Sequence, residues 1–255
     1  MITFFRRLRQ QLLETNQFRK YVIYAIGEII LVVIGILIAL SVNNFNEKQK
    51  AVELSNTHLN YMLEDLTADT LYLNSMLVSL EEQLGIEEWI LNEGPFSDKD
   101  IDSIKLSASN VNWRFHMNDR SFQNIQNSPD ATLVGYEQLY SEISNYYIVT
   151  KNRIVQNNQL EIHAIKNKSA FEQLLHKNLP INTRQYGDYG GFRIGIDYSI
   201  SSESGNFEEI LESLNTIETK NVLYDKYARH SYVYLTLTMC DLEAKKLIKK
   251  IRNML

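Results

Sequence analysis

Residues Tyr21 to Val42 read YVIYAIGEIILVVIGILIALSV, apolar all round a helix and interrupted by one carboxylate, Glu28. At 1.5 Å of rise per residue such a run crosses a hydrocarbon core of about 30 Å once, and no comparable run follows. After it the pattern becomes one-sided. Phe45, Val52, Leu59, Leu66, Leu73 and Leu80 recur every seventh position, and Leu63, Leu77, Leu84 and Leu91 form a companion seam whose other positions are Gln49, Asn56 and Thr70. Alternating steps of three and four residues predict a long helix with a coiled-coil stripe. The stripe fits one wall of a monomeric bundle, favoured by the large helices that follow, or a stalk that self-associates.

Helix breakers are sparse and clustered, with proline only at Pro95, Pro129 and Pro180. They leave uninterrupted stretches at Ile36 to Leu84, Tyr136 to Leu179 and Asn206 to Leu255, the punctuation of a chain built from long helices. The second stretch carries Leu139, Ile143, Tyr147, Ile154 and Ile165 at helical spacing. The third is expected to split near Thr219 to Asn221, into a short helix with Ile210 and Leu214 and a terminal one with Leu223, Leu237, Ala244, Ile248 and Ile251. Strict alternation in FRIGIDYSI (192–200) and VNWRFHM (111–117) predicts two short strands, whose pairing with each other the sequence leaves open, with loops packed over the helix ends as the alternative. The predicted fold is mainly α: one transmembrane helix, then a helical-bundle exported domain with long heptad-patterned helices and a short two-stranded β element. The expected domains are a cytoplasmic basic amphipathic leader at 1–20, a transmembrane helix at 21–42 and a periplasmic helical domain at 43–255.

Charge sets the expected orientation. Arg6, Arg7, Arg9, Arg19 and Lys20 precede the run against one acid, Glu14, while Asn43 to Lys50 is mixed, so the N-terminus is expected in the cytoplasm. Phe4, Phe5, Leu8, Leu12 and Leu13 interleave with the arginines, as in a basic helix lying on the inner leaflet. Ala39-Leu40-Ser41 satisfies a signal-cleavage pattern, but the apolar core is longer than the 7–15 residues usual for a signal, which favours a retained anchor. The chain holds 26 basic and 31 acidic residues. Residues 1–43 hold five of the basic and two of the acidic residues, so the part beyond the span has 21 basic against 29 acidic, which argues against nucleic acid as a partner. One cysteine, Cys240, precludes an intrachain disulfide, so stability must come from a packed core.

KYVIYAIGEIILVVIGILIALSVNNFNE, followed by RSFQNIQNSPDATLV and LYSEISNYY, resembles a domain-of-unknown-function family of small single-span membrane proteins of Gram-negative bacteria. The matching positions are Gly27, Glu28, Asn43, Asn44, Phe45, Asn46 and Glu47 around the span, and Phe122, Ile125, Ser128, Tyr146 and Tyr147 beyond it, with Pro129 where the family usually has glycine. The resemblance implies an inner-membrane protein with a helical periplasmic domain, and it brings no activity with it.

Among polar residues Glu28 stands out, because a carboxylate inside a bilayer faces a protein partner, faces water or stays protonated. Gly35 and Ala39 share its helical face as a small-xxx-small pair, the pattern of a helix-helix contact. The alternative use of Glu28 is in a proton or ion pathway, similar to the single-span stator subunits of proton-driven motors, although the span offers only Ser41 as a further polar group. Asp98, Asp100 and Asp102 begin like a calcium loop, but Ser103 and Ser109 stand where that loop needs Gly and Glu, so they read as first-turn acids of a helix capped by Ser97. No two histidines lie three or four residues apart, and no nucleophile elbow or phosphate loop is present. Tyr227, His230, Tyr234 and Asp241 on the last helix suggest a polar cluster, either a small-ligand site or a satisfied buried network. In KKLIKKIRNML the lysines either complement the helix dipole or present a basic tip to lipid or an acidic partner. The sequence therefore predicts no catalytic residue, cofactor or metal. It predicts a scaffold, sensor or accessory subunit that contacts the bilayer and associates, with itself or another membrane protein, through its transmembrane helix.

Overall fold

The computed structural model describes residues 18–107, 112–127, 133–178, 182–189, 192–199 and 207–255. Of the expected leader 1–20, residues 1–17 lie outside them, as do Val111, Ser128, Pro129 and Pro180, and residues 18–20 open the first helix. Among the described residues, every regular element apart from one hairpin is helical. Helix α1 runs Phe18–Asn92, 75 residues without a break. A 3-10 turn, Asp98–Asp100, leads into α2 (Ile101–Ser107), followed by α3 (Arg120–Gln126), α4 (Glu137–Lys166) and α5 (Ala170–Asn178). Strands β1 (Asn182–Tyr189) and β2 (Phe192–Ser199) precede α6 (Phe207–Leu214) and α7 (Ile217–Met254).

The chain divides into two compact units, one of residues up to Thr57 with Thr132–Glu137, the other of His58–Ala131 with Gln138–Leu255. In the first, every large apolar side chain from Val22 to Val42 is more than a third exposed, so nothing in the described chain covers this surface. Farther along α1, Asn56 Oδ1 accepts a 2.6 Å bond from the Tyr136 hydroxyl. Tyr136 closes a turn with its N–H on Leu133 O at 2.9 Å. Gly135 in that turn has φ +84°, a conformation that a Cβ would strain.

The second unit is a helical bundle. Leu59, Leu66, Leu73 and Leu80 of α1 are fully buried. Leu73, Met76 and Leu80 meet Trp113, Phe115, Ile154 of α4, and Val233, Leu237 and Cys240 of α7. Ile90 meets α2, α5, α6 and the start of α7 through Ile104, Phe171, Leu175, Ile210 and Leu223. The seven-residue stripe is thus absorbed by its own bundle from Leu59 onward, whereas Phe45 of the same stripe stays exposed. The companion seam lies one position from where its leucines suggested. Met62, Asp69, Met76, Gln83 and Ile90 are buried, and Leu63, Leu77, Leu84 and Leu91 are half-buried. At the two polar positions of that seam the buried groups are bonded: Asp69 accepts from Asn118 N–H, and Gln83 donates to Glu87.

Three local expectations need correction. β2 coincides with FRIGIDYSI but pairs antiparallel with β1, Asn182 opposite Ser199, and not with 111–117. Residues 112–119 form no strand, although Trp113 and Phe115 are buried in the predicted alternation. Their backbone bonds go to α4 side chains: Trp113 N–H donates to Glu161 Oε2 at 3.0 Å and Phe115 N–H to Asn158 Oδ1 at 3.1 Å, while Asn158 Nδ2 returns 2.7 Å to Phe115 O. The break in the third stretch falls before α7 at residues 215–216, where Thr216 caps the helix by accepting from Thr219 N–H. The second stretch is also cut, between α4 and α5. There Ser169 and Glu172 bond reciprocally at 2.8 and 3.2 Å, forming a capping box.

Candidate functional site

Two polar layers cross the bundle. The first starts from Asp65 and Asp69, one turn apart on α1, which face the segment entering α3. Asp65 accepts from Asn118 Nδ2 at 2.7 Å, from Ser121 N–H at 3.1 Å and from the Ser121 hydroxyl at 2.5 Å. Asp69 accepts from Asn118 N–H through both oxygens, at 3.0 and 3.2 Å. Aromatic rings wall the layer. Phe122 stacks on Tyr147 with centroids 4.6 Å apart, and Tyr146 meets Tyr147 edge-on at 5.2 Å. Burial raises the Asp69 carboxyl to about 6, with Asp65 and Asp119 adding to the shift. Burial likewise raises the Tyr146 and Tyr147 hydroxyls. These groups are held toward their neutral forms, which suits a low-dielectric interior.

The second layer lies at the level of Glu87 and Glu161, both almost fully buried. Glu87 accepts from Gln83 Nε2 at 2.9 Å, and its Oε1 lies 2.8 Å from His230 Nδ1. Glu161 binds Arg229 and the Trp113 N–H. Lys226, whose ammonium burial shifts downward, donates to Ser107 O at 2.6 Å. Trp113 Nε1, His230 Nε2 and the Asn157 amide make no hydrogen bond among the described residues. Each carboxylate is partnered by groups from other elements, so the layer ties α1, α4 and α7 together.

The predicted residues are placed as follows. Glu28, Gly35 and Ala39 lie in the uncovered part of α1, and a Cβ added at Gly35 meets nothing within 4 Å. The expected cluster of Tyr227, His230, Tyr234 and Asp241 does not form as one group. His230 and Asp241 are about 16 Å apart along α7 at helical rise. His230 binds Glu87 across the bundle, Asp241 binds Lys245 at 2.6 Å, and Tyr234 packs against the central core. Asp100 turns back on Ser97, accepting from its N–H at 2.8 Å and its hydroxyl at 2.9 Å. Cys240 is buried, its thiol pushed up to about 12 by burial. Of the terminal lysines, Lys245 pairs with Asp241 and Lys250 with Glu142 of α4, while Leu247, Ile248 and Ile251 are buried, so the tip's apolar face belongs to the core. Asp65, Asp69 and Glu87 were missed because carboxylates on a leucine-striped helix read as its wet side.

Asp69 gives the bundle a pH dependence. Its folded value, about 6, exceeds the ordinary 3.8, so the folded state holds this proton more tightly than the unfolded chain. The stabilisation is complete below pH 4 and is lost as pH rises through 6. Asp69→Asn, which keeps an acceptor for Asn118 N–H, should remove this loss, gaining on the order of 1–2 kcal/mol over wild type at pH 7 relative to pH 4. Urea midpoints measured across that range check it, and parallel curves for the two proteins would contradict it.

Neither a curated protein nor a solved structure matches this chain. A model of a family of unknown function, DUF6090, matches residues 28–161. That segment opens at Glu28 in the apolar run and closes at Glu161 in the second polar layer. It contains the whole Asp65–Asp69 layer and its aromatic wall, while Lys226, Arg229 and His230 lie beyond it. Covering more than half of the sequence, the match makes this chain a member of the DUF6090 family of unknown function.

Proposed function

We propose that this protein is a single-span membrane protein whose helical bundle lies on the side of the bilayer opposite the basic leader, and that it acts by association. The observation that carries this reading is the uncovered apolar surface of α1 from Val22 to Val42. Contiguous exposed patches on water-soluble monomers rarely exceed a few hundred Å², and this one girdles six turns of helix. A bilayer removes that surface from water, as no described part of the chain does. The arginines ahead of the run support a cytoplasmic N-terminus, and the likeness of the span to the Gram-negative family supports an inner membrane with a periplasmic bundle. The interior carboxylates bond to other elements of the bundle, the arrangement of a network that fixes a fold. That favours a scaffold, sensor or accessory subunit over a catalyst.

Association through the span would use the face of Glu28, Gly35 and Ala39. The space over Gly35 lets a second helix approach closely, and an acid there can hydrogen-bond across the contact. An alkaline phosphatase fused after Leu255 should be active in a Gram-negative host, and one fused at Tyr21 inactive; the reverse result would refute the orientation. In a membrane two-hybrid assay Gly35→Leu should weaken association of the span by about 1 kcal/mol or more, while Ile36→Leu should leave it nearly unchanged. Equal signals from the two variants would count against this face.

A further inference from the structure

Between α4 and α7 the bundle carries a groove of about 560 Å³, within the size range of small-molecule sites. Its floor is apolar, with Val149 of α4, Leu247 of α7 and the ring of Tyr146 lining it. Its rim is basic. Arg153 is held by Glu243 at 3.2 Å, and Lys250 is held by Glu142. Those pairs cancel, and two cations remain. Lys246 and Lys249 line the same groove, are exposed, and make no ion pair among the described residues.

An apolar lining beside two ammonium groups that make no ion pair among the described residues is complementary to a molecule with one anionic end and a hydrocarbon body. We propose that the α4–α7 groove binds a small carboxylate amphiphile of the medium-chain fatty-acid class, its head between Lys246 and Lys249 and its chain on Val149 and Leu247. The two lysines supply charge without the planar fork of a guanidinium, because Arg153 is engaged by Glu243. Lys246 and Lys249 stand outside the family segment that ends at residue 161, so this specificity belongs to the C-terminal half of the groove. Binding here requires neither the anchor nor its self-association, and its failure would leave the membrane reading intact.

The test uses the full chain in phosphatidylcholine nanodiscs, with radiolabelled octanoate in equilibrium dialysis and empty nanodiscs as background. Saturable one-site binding is expected, not competed by octylamine. Two variants dissect it, each checked for an unchanged circular dichroism spectrum. Lys246→Gln with Lys249→Gln removes the charge and should weaken binding at least about tenfold. Val149→Trp fills the floor and should abolish it. The lysine variant alters exposed side chains that have no partners, so it keeps the test decisive if the tryptophan does not fold. Absence of saturable binding above the empty nanodiscs overturns the proposal, and so does full binding by either folded variant.

Discussion

Apolar surface on a helix must be covered, and α1 presents it in two patterns along one continuous element, Phe18–Asn92. From Val22 to Val42 the side chains apart from Glu28 and Ser41 are apolar on all sides, and no described part of the chain covers them. From Leu59 the apolar residues occupy one stripe, which other helices of the chain can cover and do cover. The bundle follows from the striped part, and the proposed membrane reading rests on the all-round apolar part, which is long enough to cross a bilayer.

Inside the bundle a second constraint operates, because carboxylates in the stripe have to be partnered. Asp65 and Asp69 take donors from the segment entering α3, Glu87 takes Gln83 and His230, and Glu161 takes Arg229 and a backbone N–H. These bonds discriminate between registers in a way that leucine contacts do not. A slip of α1 by one heptad leaves the leucines packed but strands the carboxylates, at several kcal/mol each for a buried unpaired charge. The Phe122–Tyr147 stack and the Asp65–Ser121 bond close on the same point, so these residues fasten α3 and α4 onto α1.

The helical architecture was legible in the sequence because periodicity reports burial directly: the leucine stripe of α1 and the 3-4 spacing of α4 reappear as core. Pairings across the chain were not legible, because they depend on which distant polar groups meet. His230 was singled out, but its partner Glu87 lies 143 residues away on a helix whose leucines drew the reading elsewhere. The irregular stretch at 112–119 shows the same limit, since alternation identified its buried side chains while its backbone partners turned out to be side chains of α4. The α4–α5 break was legible and overlooked: Ser169 and Glu172 spell a capping box without Gly or Pro. The α4–α7 groove was invisible in principle, as it arises from two faces that are each ordinary alone.

The most direct test of the central claim is a depth profile of α1 in lipid. Single spin labels placed at successive positions from Val22 to Phe45 of the full chain in bilayers report the ratio of oxygen to water-soluble nickel accessibility. The account predicts a ratio that climbs to a maximum near Leu31 to Val33 and falls toward both ends. A flat profile with free access to nickel throughout would contradict it.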